Sequence, residues 1–353
     1  MNIYDNINYV YKTKIYENGD KYIGEFKNNK RDGKGIIYYN KDNKYKRYMY
    51  EGEWKNDIIE GKGIMYMLNS DRYEGNFKND KKEGKGIIYY NNGVKYEGDF
   101  KDDKIEGKGI IYYPKSGRYE GDWKNNKKEG KGKAYFNNGD EYIGDWKNNL
   151  IEGYGIIYMR NGNIYKGNWK NNFKEGKGIY YYKNGDIYIG DFKRGNLEGN
   201  GIYYYKNGNV YRGDFKNNLK DGKGIYYYHN GDKYEGDWKY DKIEGKGKMD
   251  WNDGYSYIGD WKNDKIEGIG IIYWNNVKRY EGNFKNNVKE GKGIYYYYNG
   301  DRYEGDWKNN VKEGKGIYYC SNGDRKMGDY FNNEKIGKHV LLQENGELFF
   351  RYF

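Results

Sequence analysis

A Tyr-x-Gly-x-Trp/Phe element recurs thirteen times along the 353 residues of this chain, and its spacing restricts the fold more than any other feature. The first two copies begin at Tyr22 and Tyr50, and every later copy follows after 23 residues, up to Tyr303. A fixed period of about 20 to 50 residues indicates a repeat architecture in which each repeat is one supersecondary unit. We therefore predict thirteen repeats over residues 22–325, a partial repeat or cap at 1–21, and a degenerate repeat with a cap at 326–353.

The repeats align in columns when the tyrosine of each Tyr-x-Gly is counted as column 0. Columns 2, 11 and 13 are then always glycine, column 4 is always Trp or Phe, column 5 is always Lys and column 10 is always acidic. Short runs of alternating apolar and polar residues, bounded by Asn, Asp and Gly, are typical of β-strands. Each repeat is therefore predicted to be one hairpin, with strand A at columns 0–5, strand B at columns 10–17 and a loop centred on columns 7–8.

This register sets the column 5 lysine opposite the column 10 acid, column 3 opposite column 12, and the column 4 ring opposite the column 11 glycine. A glycine leaves space for a neighbouring ring to lie over bare backbone. Because 23 is odd, one turn must hold an odd number of residues if every repeat buries the same face. We place it at the x-Asn-Gly turn of columns 18–20, as in residues 183–185, with an odd loop at columns 6–9 as the alternative.

The predicted fold is an all-β, elongated, single-layer twisted antiparallel meander of about 13–14 hairpins. Columns 0, 2, 4, 11 and 13 share one face, and the Ile and Tyr of columns 14 and 16 share the other. Such a stripe of Ile and Tyr in water predicts self-association or a partner. The aromatic residues expected to form the repeat core include Trp54, Trp123, Trp146, Trp169, Trp238, Trp261 and Trp307.

Composition excludes most catalytic and metal chemistry. A single cysteine, Cys320, and two histidines do not suffice for an intramolecular disulfide, a cysteine-ligated zinc or an iron–sulfur centre. Acids recur beside lysines in every repeat, as in a structural ion-pair lattice, and the Gly-Lys-Gly elements lie within predicted strands. We therefore expect no catalytic residue, no metal and no cofactor. No apolar run is long enough for a membrane helix and no signal peptide precedes the repeats, so a soluble, cytoplasmic chain is expected.

Most of the formal charge of +11 is predicted to lie at the hairpin tips. A linear cationic edge there could follow an anionic lipid surface, whereas the alternative is an ordinary solvated row of turns. Nucleic acid is a weaker candidate, because the aromatic columns have a packing role. The candidate lipid-facing residues are Lys30, Arg31, Lys81, Lys82, Lys104, Lys127, Lys128, Lys174, Lys220, Lys242, Lys265, Lys289 and Lys312.

The C-terminal segment departs from the repeat pattern. Lys326 replaces the column 0 tyrosine, and His339 replaces a column 13 glycine. A repeat array needs a capping end unless it docks on a partner. The segment is therefore interpreted as a cap, a homodimer contact, or both. The candidate contact residues are Val340, Leu341, Leu342, Leu348, Phe349 and Phe350.

The 23-residue pattern Tyr-x-Gly-x-Trp/Phe with Gly-x-Gly, as in 234–238 and 245–247, resembles the MORN repeat (membrane occupation and recognition nexus). Two columns depart from the family: column 7 is Asn or Asp except at Gly195, and column 10 is acidic where the family often has His. The resemblance implies a non-catalytic scaffold that links cytoskeletal, ciliary or cell-division structures to proteins or membrane. Its alternatives are a phosphoinositide-binding module and an accessory subunit that positions a separate enzyme.

Overall fold

The computed structural model describes residues 9–274 and 277–353, and the secondary structure of these residues consists of thirty β-strands. The strands are β1 (Val10–Ile15), β2 (Lys21–Lys27), β3 (Lys30–Tyr38), β4 (Arg47–Lys55), β5 (Ile58–Met67), β6 (Arg72–Lys78), β7 (Lys81–Tyr89), β8 (Lys95–Lys101), β9 (Lys104–Tyr113), β10 (Gly117–Lys124), β11 (Lys127–Tyr135), β12 (Glu141–Lys147), β13 (Leu150–Tyr158), β14 (Ile164–Lys170), β15 (Phe173–Tyr181), β16 (Ile187–Lys193), β17 (Asn196–Tyr204), β18 (Val210–Lys216), β19 (Leu219–Tyr227), β20 (Lys233–Lys239), β21 (Lys242–Asp250), β22 (Tyr255–Lys262), β23 (Lys265–Trp274), β24 (Lys278–Lys285), β25 (Val288–Tyr296), β26 (Arg302–Lys308), β27 (Val311–Tyr319), β28 (Arg325–Phe331), β29 (Glu334–Leu342) and β30 (Leu348–Tyr352).

The chain comprises two compact units, an N-terminal unit (Met1–Lys174) and a C-terminal unit (Glu175–Phe353). Within the N-terminal unit, each strand from β1 to β13 pairs antiparallel with the strand that follows it. The C-terminal unit continues the same pattern from β15 to β30. The predicted all-β meander of repeat hairpins is confirmed.

The turn at the tip of each repeat lies at columns 6–7, one column earlier than predicted. In the first repeat Lys27 pairs with Lys30, and the two turn residues Asn28 and Asn29 have φ values of 51° and 61°. Two positive φ values define a type I′ turn, which Asn and Asp tolerate and which matches the twist of the flanking strands. The predicted pairing of the column 5 lysine with the column 10 acid is therefore wrong, because column 5 faces column 8.

A β-bulge follows the turn and restores the predicted register beyond it. In the first repeat Phe26 pairs with Arg31 and Gly24 pairs with Gly35. The carboxylate of Glu25 occupies the bulge and accepts a hydrogen bond from the backbone N–H of Lys34 at 2.7 Å. The column 11 glycine has a positive φ here, and it faces the column 4 ring of the next repeat instead of its own. Columns 3 and 12 likewise pair between successive repeats.

The turn between repeats contains three residues, as predicted. In residues 182–186 the N–H of Tyr182 donates to the carbonyl of Asp186, and the N–H of Gly185 donates to the carbonyl of Tyr182. Gly185 has a φ of 98°, which is the left-handed position of a three-residue hairpin turn. This odd turn keeps the same face buried in every repeat.

The core is a row of rings on one face of the sheet. Tyr50 lies over the paired glycines of columns 2 and 13, and its hydroxyl donates to the carbonyl of Glu53 at 3.0 Å. Its ring makes edge contacts with Trp54 and with Phe77 of the next repeat, at centroid distances of 5.4 and 5.1 Å. Tyrosine rings and column 4 rings alternate in this way along each unit. All seven predicted core tryptophans are buried. Columns 9 and 15, which the sequence analysis did not assign to the core, also lie on this face, as Ile59 and Ile37 show.

Candidate binding surfaces

The face opposite the rings forms a long groove in the N-terminal unit. The groove has a volume of about 1920 Å³ and extends from Tyr11 to Ile156. Its lining repeats with each hairpin, because columns 1, 12 and 14 all point to this side. The repeated lining residues are the isoleucines Ile36, Ile64, Ile87 and Ile110, the glutamates Glu51, Glu74, Glu97 and Glu120, and the lysines Lys34, Lys62, Lys85, Lys108 and Lys131. The C-terminal unit has a smaller groove of about 820 Å³ between Asn200 and Ile271.

Many charges beside the groove are paired across the strands. Lys85 contacts Asp99 at 2.6 Å, and the same column 12 to column 3 pair recurs as Lys292 with Asp306. Although burial opposes ionisation of Asp99, hydrogen bonds from Lys85 and from the Lys108 N–H hold its pKa below the usual value. The groove therefore combines an isoleucine row with charges that are mostly neutralised.

The exposed cationic edge differs from the one predicted. Six of the thirteen candidate lipid-facing residues occupy column 8, and all six are exposed: Lys30, Lys81, Lys104, Lys127, Lys242 and Lys265. The column 5 lysine lies across the strand from each of them, as Lys101 does from Lys104. None of the thirteen column 5 lysines makes an ion pair among the described residues. Column 5 therefore contributes a row of unneutralised charges that the sequence analysis missed.

The column 10 acids have a backbone partner instead of a lysine. The carboxylate of Glu106 accepts a hydrogen bond from the N–H of Asn125, at the tip turn of the next repeat, at 2.9 Å. The equivalent bond joins Glu152 to Asn171 at 3.0 Å. A hydrogen bond to an ionised carboxylate is stronger than one between neutral groups, so these acids tie each tip turn to the next even though the bonds are exposed.

The other seven candidates, at column 9, lie on the ring face and not at the exposed edge. The Nζ of Lys289 is 4.8 to 5.2 Å from the ring centroids of Trp274, Tyr280, Tyr295 and Trp307. Burial lowers the pKa of Lys289 to about 8, and the surrounding rings attract its cationic form. The type I′ turn is the reason, because it sets column 9 opposite the column 4 ring. These seven residues are Arg31, Lys82, Lys128, Lys174, Lys220, Lys289 and Lys312.

The buried lysines predict a measurable pH dependence. Burial lowers the pKa of Lys128 from 10.5 to about 8, so the folded chain binds fewer protons than the unfolded chain between those values. The free energy of unfolding should therefore rise as the pH increases from 8 to 10. Replacing Lys128 by Ile, the residue at this column in neighbouring repeats, should remove its share of that rise and stabilise the fold by about 1–2 kcal/mol at pH 7. The other buried lysines of column 9 keep theirs.

Urea unfolding of the wild-type chain and of Lys128→Ile at pH 7, 8, 9 and 10 checks this expectation. The exposed neighbour provides the control, since Lys127→Ile should leave the pH dependence as it is. Equal pH slopes for Lys128→Ile and the wild type would contradict the burial of a titrating lysine.

The C-terminal segment reproduces the ring-over-glycine contact with exchanged positions. The ring of His339 occupies the space over Gly328, and its Nε2 lies 2.8 Å from the carbonyl oxygen of Asp329. The column 0 tyrosine makes the same contact in the other repeats. His339 packs edge-on against Tyr330 and Phe353, at centroid distances of 5.4 and 5.2 Å. Lys326 and His339, the two residues that depart from the pattern, therefore compensate each other: the ring lost at column 0 is replaced by the ring gained at column 13.

The candidate dimer contact is divided between two environments. Val340, Leu341 and Leu342 are half-buried in β29. The residues Leu348, Phe349 and Phe350 lie exposed on β30, which pairs with β29 on one side only within the described chain. A free apolar edge strand is the part of this segment that a second strand could extend.

The family assignment follows from the repeats themselves. The MORN repeat model matches thirteen consecutive segments: 22–44, 50–72, 73–95, 96–118, 119–141, 142–164, 165–187, 188–210, 211–233, 234–254, 257–276, 280–302 and 303–325. The chain belongs to the MORN-repeat family. A search among curated proteins finds no relative of this MORN chain.

The solved structures matched to this MORN chain have low sequence identity to it and low TM-scores. One is the TCP10 domain of Danio rerio CPAP in complex with a peptide of STIL, at 13% identity and a TM-score of 0.34, covering 64% of this chain and 96% of that domain. Another is virginiamycin B lyase from Staphylococcus aureus, at 11% identity and a TM-score of 0.11, covering 99% and 96%.

The described part of the MORN chain brings few chemically reactive groups together. Over residues 9–274 and 277–353, no group of three or more His, Cys, Asp or Glu side chains is placed to hold a metal ion. Cys320 is half-buried, and His229 lies in an exposed turn beside Asn209. No helix among these residues is long and apolar enough to cross a membrane.

The sequence contained a signal for the missed column 5 lysines of the MORN repeats. Asn-Asn, Asn-Asp and Asp-Asp pairs at columns 6–7 favour a two-residue type I′ turn. That turn sets column 5 opposite column 8 and separates the column 5 lysine from the column 10 acid. These dipeptides alone are sufficient to assign both rows of lysines to the tip.

Proposed function

We propose that this MORN protein is a non-catalytic scaffold that holds partner proteins along its sheet. The observation that carries the proposal is the groove of the N-terminal unit, whose isoleucine row repeats once per hairpin. In the N-terminal unit the ring face is filled by its own side chains, so the groove is the apolar surface left for a partner there. The columns of acids and glycines have structural roles in the turns and bulges, which leaves little chemistry for catalysis.

Membership of the family supports a place for such a scaffold at cytoskeletal, ciliary or cell-division structures. We infer a cytoplasmic protein that works peripherally to those structures or to a membrane. Two further predictions remain to be tested. One is that the chain associates with itself through β30, and the other is that it serves as an accessory subunit of a separate enzyme. Light scattering of the whole chain and of a chain ending at residue 325 distinguishes a C-terminal dimer from a monomer.

Photocrosslinking from inside the groove tests the scaffold proposal. A photoreactive amino acid at Ile87 should capture a defined set of proteins in cells, because Ile87 lines the groove. The same amino acid at Asn92, in an exposed turn, serves as the matched control. The Ile87 adducts should be absent from the control and should decrease at least tenfold when Ile110→Lys is added, since a buried charge disrupts apolar docking. Identical adducts at both positions would contradict the proposal.

The column 5 lysines support a second function, the binding of anionic phospholipid. Except for the half-buried Lys27, they form an exposed row without ion pairs on the tip edge, where column 8 adds further lysines. Each lysine near an anionic bilayer contributes about 1 kcal/mol, which salt screens. Because the lysines recur once per repeat along the tip edge, several of them can contact an extended anionic membrane surface at the same time.

Charge reversal tests this second function. The triple variant Lys78→Glu, Lys101→Glu and Lys124→Glu should bind vesicles with 20% phosphoinositide at least about 100-fold more weakly, from about 3 kcal/mol of lost attraction. The control triple, Lys41→Glu, Lys44→Glu and Lys115→Glu, makes the same charge change at exposed turns of the opposite edge. Cosedimentation with vesicles measures both. An equal loss in both variants would indicate net charge alone and exclude a tip-specific lipid site.

A further inference from the structure

The C-terminal unit has a ladder of tyrosines that the proposed function leaves unexplained. The ladder occupies columns 15 and 17 of three successive repeats, on the ring face. Neighbouring ring centroids are 4.5 Å apart within a repeat and 5.6 to 5.7 Å apart between repeats. All six rings are half-buried, so each retains some accessible surface. The tyrosine ladder is Tyr180, Tyr182, Tyr203, Tyr205, Tyr226 and Tyr228.

The fold of the repeat does not require tyrosine at column 15. The N-terminal unit has Ile88, Ile111 and Ala134 at this column, and all three are buried in hairpins of the same register. An aliphatic residue is therefore enough to fill the core at this column, and Tyr203 and Tyr226 add aromatic surface that the fold does not need. A function specific to the C-terminal unit is the simplest reason for the larger side chain.

The ladder also contains hydroxyl groups that the fold leaves available. The hydroxyl of Tyr203 donates to Asp186 at 3.1 Å, and the hydroxyl of Tyr226 accepts from Asn209 at 2.9 Å. Tyr205 and Tyr228 have no hydrogen-bond partner for their hydroxyls among the described residues. These two donors occupy the same column of consecutive repeats, one hairpin apart.

We propose that the tyrosine ladder binds a proline-rich segment of a partner protein in the polyproline II conformation. This inference rests on the proposed scaffold function and names one class of partner. Polyproline II has three residues per turn and repeats about every 9.3 Å along its axis. One hairpin adds two strands, or about 9.6 Å, to the sheet. Successive turns of the peptide therefore meet successive tyrosine pairs in the same way.

The chemistry of the two surfaces is also complementary. Polyproline II has no internal hydrogen bonds, so its carbonyl groups need external donors, which Tyr205 and Tyr228 supply. Its prolines pack on aromatic faces, and the preformed helix loses little entropy on binding. A bound β-strand would fit less well, because residues three apart would point to opposite sides. Three repeats thus provide a site for about nine residues.

Fluorescence anisotropy with a labelled peptide of four Pro-Pro-Ala triplets tests the proposal on the full chain. We expect saturable binding, and no binding of a Gly-Ser peptide of equal length. The double variant Tyr203→Ile and Tyr226→Ile adopts the aliphatic column 15 of the N-terminal unit and should bind at least tenfold more weakly. The double control Tyr90→Met and Tyr113→Met removes rings of the same face in the N-terminal unit and should change the affinity less than twofold.

A conservative double variant separates docking from folding. Tyr205→Phe and Tyr228→Phe keep the rings, and should weaken binding three- to tenfold with an unchanged urea midpoint. Absence of saturable binding by the wild-type chain, equal affinity in the isoleucine variant, or equal binding of the Gly-Ser peptide would each overturn the inference. If the proline peptide fails to bind while Ile87 still captures partners, this inference falls and the scaffold proposal stands.

Discussion

Replacing Gly190 by Ala should destabilise the C-terminal unit by at least about 3 kcal/mol. A Cβ at Gly190 would lie 2.7 Å from the Cα of Gly201 on the paired strand, and it would also collide with the ring and hydroxyl of Tyr188. Neither strand can move away without breaking the backbone hydrogen bonds between β16 and β17, so Tyr188 must leave the core. The cost combines overpacking with the loss of a fully buried ring.

A glycine in the same hairpin provides the control for this substitution. Gly195 has a φ of 89°, a Cβ added there would have no atom within 4 Å, and its column is Asn or Asp in the other repeats. Gly195→Asn should therefore change the free energy of unfolding by less than about 1 kcal/mol. Urea unfolding gives the midpoints, and hydrogen exchange of β16 and β17 localises the damage. Equal midpoints for the two variants would show that the tyrosine does not lie against Gly190.

The exchanged positions at the C-terminus lead to the second large expected effect. His339→Gly should cost about 3 kcal/mol of local stability, because it removes a buried ring that contacts Gly328, Tyr330 and Phe353. Adding Lys326→Tyr to this variant should recover most of the loss. The double variant restores the tyrosine of column 0 and the glycine of column 13, and so returns the contact used by the other repeats.

Hydrogen exchange over residues 328–353 measures the local stability of these variants. The wild type, the two single variants and the double variant are compared at one pH. Lys326→Tyr alone should also destabilise, since two rings would compete for the space over Gly328. His229→Ala is the control, because that histidine lies in an exposed turn. A double variant no better protected than His339→Gly would refute the proposed exchange of roles.

Local sequence signals were sufficient to predict the repeat, the hairpins and the odd turn. The glycine at column 20 specifies a left-handed residue, and Gly185 has that conformation. The parity of a 23-residue period then requires one odd turn, which the structure places at columns 18–20. The column 0 tyrosines and column 4 rings were expected on one buried face, and they lie there.

The charged columns were harder to predict, because their partners are backbone groups. Glu106 was expected to face a lysine, yet its carboxylate accepts from the N–H of Asn125 in the next repeat. Lys128 was expected at an exposed edge, yet it lies among Tyr113, Tyr119 and Trp146. A shift of one column in the tip turn moves the pairing beside it by two residues and so changes the cross-strand partner of each of these side chains.

The amino-acid sequence by itself determined the period, the strand order, the buried ring columns and the membership of the MORN family. These properties depend on local periodicity and on glycine, which act within one repeat. Only the tertiary structure decided which lysines are exposed, which acids complete a turn and which residues form the groove and the tyrosine ladder. Those properties arise between repeats, where a bulge and a two-residue turn set the register before any side chain finds its partner.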